Sequence, residues 1–165
     1  MFVLGIDPGL SRCGYGAVDQ PAGGRPRAVA IGVLTTSPDL DLPVRLAALQ
    51  REVRGLLTEL RPDVVAVERV FFQRNVRTAM SVGQASGIAM AEAAAAGCAV
   101  HQYSPNQVKE AVAGWGAAPK EQVERMVQTL LGLDRPLKPD AADATALALC
   151  HLAMAPLLTR LAARS

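Results

Sequence analysis

The sequence predicts an α/β fold: one mixed five-stranded sheet with helices on both faces. Three observations lead there. Short apolar runs bounded by turn residues fill the first 36 residues and recur at Val64 to Val67 and Ala99 to Tyr103. Apolar residues at helical spacing occupy most of the remaining chain. The resulting order, βββαβα with further helices at the end, is that of a sheet covered by helices. A length of 165 residues, half of them hydrophobic, suits one domain over 1–165 with a real core.

Phe2 to Ile6 is a continuous apolar run, and Pro8-Gly9-Leu10-Ser11 turns the chain. Gly14 to Val18 and Ala28 to Thr35 follow as strands around the loop Gln20 to Gly24. Connections this short make the three an antiparallel meander. Leu42, Leu46, Leu49, Val53, Leu56 and Leu60 then recur every three or four residues, and Arg61-Pro62 ends that helix. Val64 to Val67 is a short buried strand, and Val70 to Val76 breaks period and reads as a loop. A long helix runs from about Arg77 to Ala96, stopped by Gly97. On it Met80, Gly83, Gly87 and Met90 share a face of close approach. A partner helix would suit that face, but internal packing is the reading taken. After the strand Ala99 to Tyr103 come helices from Pro105 to Ala113 and Pro119 to Leu131. The last helix starts near Pro139, a good first-turn residue.

Composition narrows the class. The net charge of +2 says little, but between Arg69 and Lys120 there are five basic residues (Arg69, Arg74, Arg77, Lys109, Lys120) against two acids. A solvated surface explains any one of them; a phosphate-binding surface explains the cluster better. Three cysteines without C-x-x-C spacing argue against a disulfide framework or zinc site and for a reducing, cytoplasmic setting. No basic segment precedes the first apolar run, so no signal peptide is expected. The apolar segment Ala141 to Leu158 contains Asp143, His151 and Pro156 and reads as a buried helix, with no membrane expected.

Four carboxylates carry the chemistry. Asp7 and Glu68 end apolar runs, and Asp140 and Asp143 open an Ala/Leu-rich helix. Buried charge costs several kcal/mol or more unless it is compensated. If the first and fourth strands are adjacent and parallel, Asp7 and Glu68 emerge at one sheet edge, where open sheets bind ligands. Asp140 and Asp143, three apart, point the same way from a helix N-terminus. A helix cap with a first-turn acid explains that pair alone, but not all four acids. All-oxygen donors suit Mg²⁺ or Mn²⁺. Two ions roughly 3.5–4 Å apart would perform phosphodiester hydrolysis. Gly9 is expected at positive φ, and Gly14 and Gly16 are expected to let a phosphate backbone approach the sheet edge.

Five motifs in order make the chain resemble the RuvC family of bacterial Holliday-junction resolvases over essentially its whole length. They are G-I-D-P-G-L at Gly5 to Leu10, A-V-E-R-V-F-F at Ala66 to Phe72, S-P-N-Q-V-K at Ser104 to Lys109, K-E-Q-V at Lys120 to Val123, and D-A-A-D-A at Asp140 to Ala144. The resemblance implies a ribonuclease-H-like fold and a homodimer cutting opposed strands of a four-way junction with Mg²⁺; the four acids of each subunit could hold two such ions. It implies Asp7, Glu68, Asp140 and Asp143 as metal-binding catalytic acids and Phe71 as an aromatic residue near the junction centre. It further implies Lys109 and Lys120 as DNA contacts near the scissile phosphate, and the branch-migration proteins RuvA and RuvB as partners. Physical chemistry agrees with these roles. An exposed Phe71 among Arg69, Arg74 and Arg77 suits base stacking and phosphate contact, with Phe72 as a core anchor. Lys120 suits neutralising charge in the transition state. Ser86 departs from the family, which often has Arg there, and so puts a basic contact at that place in doubt.

Trp115, between two glycines, suits stacking on DNA and loop packing equally. His151 lies about 12 Å along a helix from Asp143, too far to share a metal, and is read as structural; His101 is unassigned. Other readings are weaker. Another ribonuclease-H-like nuclease acting on RNA or flaps is the nearest alternative. Actin-like ATPases and sugar kinases share the strand-Asp-x-Gly turn but need two lobes. A binding protein without catalysis would not need all four acids.

Overall fold

The computed structural model describes residues 1–69 and 76–162, the side chains of 76–78, 157 and 159–162 excepted. Strands β1 (Phe2–Asp7), β2 (Arg12–Asp19) and β3 (Arg27–Thr35) form the expected meander. Helix α1 (Leu42–Leu60) leads to β4 (Val64–Glu68), then α2 (Val76–Ala95) to β5 (Ala99–Tyr103). Helices α3 (Pro105–Ala113), α4 (Lys120–Leu131) and α5 (Pro139–Ala162) close the chain. The sheet order is β3-β2-β1-β4-β5, with β4 parallel to β1 and β5 parallel to β4. Each parallel step uses a helical crossover, as parallel strands require.

Two apolar layers hold the sheet between helices. On one face Leu4, Ile6, Val65 and Val67 meet Leu49, Val53 and Leu57 of α1 and Ala85, Ala89 and Ala93 of α2. On the other, Val3, Ala66 and Tyr103 meet α3, α4 and α5 through Val108, Val112, Val127 and Leu147. The central strands are apolar on both faces because both faces are covered, which is why they read as continuous runs and not alternations. Glu92, only 8% exposed, is clamped by Arg54 at 2.8 and 2.9 Å and by Gln50 at 2.6 Å, bracing α2 against α1.

Glycines decide how α5 lies. A Cβ on Gly5 would fall 1.9 Å from the Ala144 carbonyl oxygen, one on Gly14 1.9 Å from that of Asp140, and one on Gly16 2.3 Å from Thr145 Oγ1. The missing side chains let α5 rest on the backbones of β1 and β2. Gly14 and Gly16 thus admit a helix of this chain, not a phosphate backbone, and this corrects the sequence reading. Gly9 is not at positive φ either; its place in the turn is tight because a Cβ would meet the Arg12 carbonyl oxygen at 2.2 Å. Gly97 does take φ 80° and ends α2 as expected.

The small-residue face of α2 also needs correction. Met80 is 61% exposed, and Gly83 and Gly87 have open space where a Cβ would stand. Alanines 85, 89 and 93 supply the buried face instead. Both faces carry small residues at helical spacing, so the pattern alone cannot choose; methyl groups fill the gap against β4 and β5 where glycine would leave it empty. Of the four residues only Met90 packs partly inward. Among the described residues no helix is long and apolar enough to cross a membrane. The three cysteines are unpaired.

Candidate active site

The acids meet because of strand register. Ile6 pairs with Val67 in the parallel ladder, so Asp7 and Glu68, each one residue on, leave adjacent strands side by side. Helix α5 starts beside them, with Asp140 in its first turn and Asp143 three residues later. Asp7, Glu68 and Asp143 line one cavity of about 250 Å³, with Lys109 of α3 and Lys120 of α4 opposite. Pro105, Val108, Val123, Ala146 and Leu147 form its apolar wall. Helix α3 is fixed by a reciprocal cap: Ser104 Oγ accepts from the Gln107 backbone N–H and Gln107 Oε1 from that of Ser104. That cap explains the S-P-N-Q start and aims Lys109 at the cavity.

Electrostatics mark the cluster. Asp7 is pushed up to about 7, first by burial and then by repulsion from Glu68, Asp143 and Asp140. Glu68 is also raised, by burial and by Asp143. Two of the acids are already gripped by cations. Lys120 Nζ donates to Asp143 Oδ2 at 2.5 Å. Arg12 donates to Asp140 Oδ2 through Nε at 2.7 Å, with Nη2 in ion-pair contact with the same oxygen at 2.6 Å. Burial works against the charge on Lys120, but Asp143, Glu124 and Asp7 hold its pKa above the ordinary value.

The donor set fits a hard divalent cation by chemistry. Carboxylate oxygens are the preferred ligands of such ions, and the mutual repulsion felt at Asp7 and Glu68 is what a cation would relieve. No three His, Cys, Asp or Glu side chains among the described residues stand ready as a cage. The ion pairs show why: Asp140 is turned to Arg12 and Asp143 to Lys120.

Arg12 escaped the sequence reading. Its signal was present, since Arg12 and Gly14 are two apart on a strand and share a face. Of the other expected residues, Arg69 is exposed just after β4, with its backbone N–H bonded to the Tyr103 carbonyl oxygen at 2.8 Å. Phe71, Phe72 and Arg74 lie outside the described residues, and Arg77 is in α2 with its side chain outside them. Trp115 is 50% exposed, its indole N–H donating to Gln122 Oε1 at 3.4 Å. Buried His151 sits 2.6 Å from the Tyr103 hydroxyl and is pushed down to about 4, mainly by burial. His101, unassigned from sequence, lies against it with ring centroids 4.8 Å apart. Ser86 is buried, its hydroxyl without a partner among the described residues.

Residues 3–151 match the family model described as crossover junction endodeoxyribonuclease RuvC. The chain belongs to the RuvC family. A RuvC from Salinispora arenicola is 52% identical over 164 residues, covering 99% of this chain and 94% of that one. The solved Thermus thermophilus RuvC is 40% identical with a TM-score of 0.86, covering 96% and 98%. The same protein in complex with a Holliday junction substrate matches at 37% identity, a TM-score of 0.86 and coverage of 95% and 96%. The yeast mitochondrial Holliday junction resolvase Ydc2 is 17% identical with a TM-score of 0.70, covering 96% of this chain and 82% of that one, and shares the fold. The architecture is therefore the ribonuclease-H-like one of RuvC proteins, with Asp7 and Glu68 at the carboxyl ends of β1 and β4 and Asp140 and Asp143 at the start of α5.

Proposed function

We propose that this chain, as a single nuclease domain over residues 1–165, resolves four-way DNA junctions by metal-dependent phosphodiester hydrolysis. One observation carries the proposal: three carboxylates and two lysines share one cavity at the carboxyl edge of the central strands. Family membership supports the substrate class. Asp7, Glu68, Asp140 and Asp143 would hold the cation, Mg²⁺ with Mn²⁺ as substitute, two ions per subunit. Bound there, such a cation supplies Lewis acidity, lowering the pKa of a water and neutralising charge on the departing oxygen.

The chain's own residues do the rest. The acids' negative charge excludes phosphate until it is compensated. Lys120, at the cavity wall, places positive charge where the phosphate gains negative charge. Lys109 faces the same cavity and holds DNA backbone. Arg69 begins a basic aromatic segment that continues with Phe71, Arg74 and Arg77. Its arginines grip phosphates and Phe71 stacks on a base near the junction centre. The exposed Met80–Gly83–Gly87 face of α2 serves a second copy of the chain, so that two sites cut opposed strands symmetrically. RuvA and RuvB are the expected branch-migration partners, in the cytoplasm.

The test is a Mg²⁺-dependent cleavage assay on a four-way junction, a flap and an RNA–DNA hybrid. Paired incisions at symmetric positions in opposed junction strands are expected, with little cutting of the others. Faster cutting of the flap or hybrid would overturn the junction assignment.

A further inference from the structure

Among the described residues, Arg12 is a cation held against the acid cluster that has no role in the scheme above. It opens β2, and its side chain is 51% exposed while that of Asp140 is 30% exposed. Gly14 makes the contact possible: with no Cβ there, the first turn of α5 settles on β2, and Arg12 on the same strand face reaches the Asp140 carboxylate. The Nε hydrogen bond and the Nη2 ion-pair contact both fall on the same oxygen, Oδ2, instead of one on each. That geometry forgoes the two-oxygen fork that makes arginine–carboxylate pairs strong. Pairs this exposed are weak in any case. Yet Asp140 is part of the acid cluster, since its charge is felt at Asp7.

Position adds a second argument. Asp7 is opposite Gly14 in the β1–β2 ladder, so Arg12 lies beyond the end of β1, further out over the carboxyl edge. Lys109 and Lys120 reach the acids from α3 and α4, the helices that follow β5 and line the cavity with Asp7, Glu68 and Asp143. Arg12 reaches them from β2. A guanidinium released there has phosphate as its natural partner on bound DNA.

We infer that Arg12 is a displaceable counter-cation: it occupies Asp140 while the acids lack metal and passes to the DNA backbone when a divalent cation takes that carboxylate. The inference rests on the junction-nuclease reading and deepens it. Metal and junction then strengthen each other's binding, because each removes the partner for which the other must compete, and the coupling is reciprocal. Arg12 acts as a positioning residue, not a catalytic one.

Two binding measurements on the full chain test this without relying on cleavage. Ca²⁺, a hard divalent ion, is titrated calorimetrically into the DNA-free protein. Junction affinity is measured across a salt series with and without Ca²⁺. In Arg12→Gln, Ca²⁺ affinity should rise by about 1.5- to fivefold, because a weak competing pair is gone. Junction affinity without metal should stay as in wild type. With Ca²⁺ it should fall, and the log–log salt slope should flatten by about one unit, the signature of one lost phosphate contact. Arg12→Lys keeps the charge but not the paired N–H groups; it should restore junction binding and give an intermediate Ca²⁺ affinity. An unchanged or lower Ca²⁺ affinity in Arg12→Gln overturns the inference. So does an equal loss of junction affinity with and without Ca²⁺, which would make Arg12 a fixed phosphate contact. A wild-type chain whose junction binding ignores Ca²⁺ and which cuts no junction would bring down the functional reading itself. Normal wild-type behaviour with an indistinguishable Arg12→Gln would remove this inference alone.

Discussion

Asp7 sits where burial and three other carboxylates act in one direction, and its pKa near 7 has a consequence for stability. Unfolded, it ionises near 3.8; folded and metal-free, it holds its proton to about 7. Between those values the folded state binds more protons, so stability falls as pH rises and levels off above 7. Asp7→Asn removes that loss. Without metal, its melting temperature should exceed that of wild type by a gap that grows from pH 4 to 7 and then holds. The ceiling is about 4 kcal/mol from a shift of this size. Thermal melts in EDTA would read the gap directly; a pH-independent gap would mean that burial and repulsion do not raise Asp7. Lys109 makes a separate prediction. If it holds one phosphate, Lys109→Ala should weaken junction binding and reduce the salt slope by about one unit. An unchanged slope in a filter-binding series would place it off the DNA.

Helix α5 is the element on which the site depends, and glycines set its position. Gly14→Ala drives a methyl group into the Asp140 carbonyl oxygen. Overpacking against backbone should cost about 1–3 kcal/mol and, by shifting Asp140 and Asp143, lower metal affinity as well. Gly55→Ala in α1 is the contrast: it is exposed, with open space around the added methyl, and should gain about 0.5–1 kcal/mol. Denaturant melts of the two variants should move in opposite directions, and a neutral Gly14→Ala would show that α5 is not seated on β2. These elements also show what was legible beforehand. Continuous apolar runs ending in Asp7 and Glu68 exposed the buried parallel strands and their shared edge, because burial on both faces leaves that pattern in one dimension. The roles of Gly14 and Gly16 were misread because a glycine signals close approach without saying what approaches. The grip of Arg12 on Asp140 spans 128 positions and exists only once α5 docks. The choice between the alanine and glycine faces of α2 likewise depended on β4 and β5.

At the scale of the whole molecule, two acids come from adjacent strand ends and two from a helix laid across the sheet, so the fold itself concentrates negative charge at one rim. Cations around that rim, Arg12 from β2 and Lys109 and Lys120 from α3 and α4, suit a charged polymer passing over it. A single site cuts one strand; resolving a junction takes two. If two copies pair through the exposed α2 face, as proposed, Gly87→Arg, whose side chain starts in open space, should leave a 17.3 kDa monomer by light scattering. A dimer that survives the substitution would move the interface elsewhere. The most direct test of metal-dependent junction resolution at these acids is single-turnover cleavage of a four-way junction in Mg²⁺ by wild type and Asp7→Asn, with junction binding measured in parallel. The expected result is symmetric paired incision by wild type, and binding without incision by Asp7→Asn. Cleavage by Asp7→Asn at the wild-type rate would contradict it.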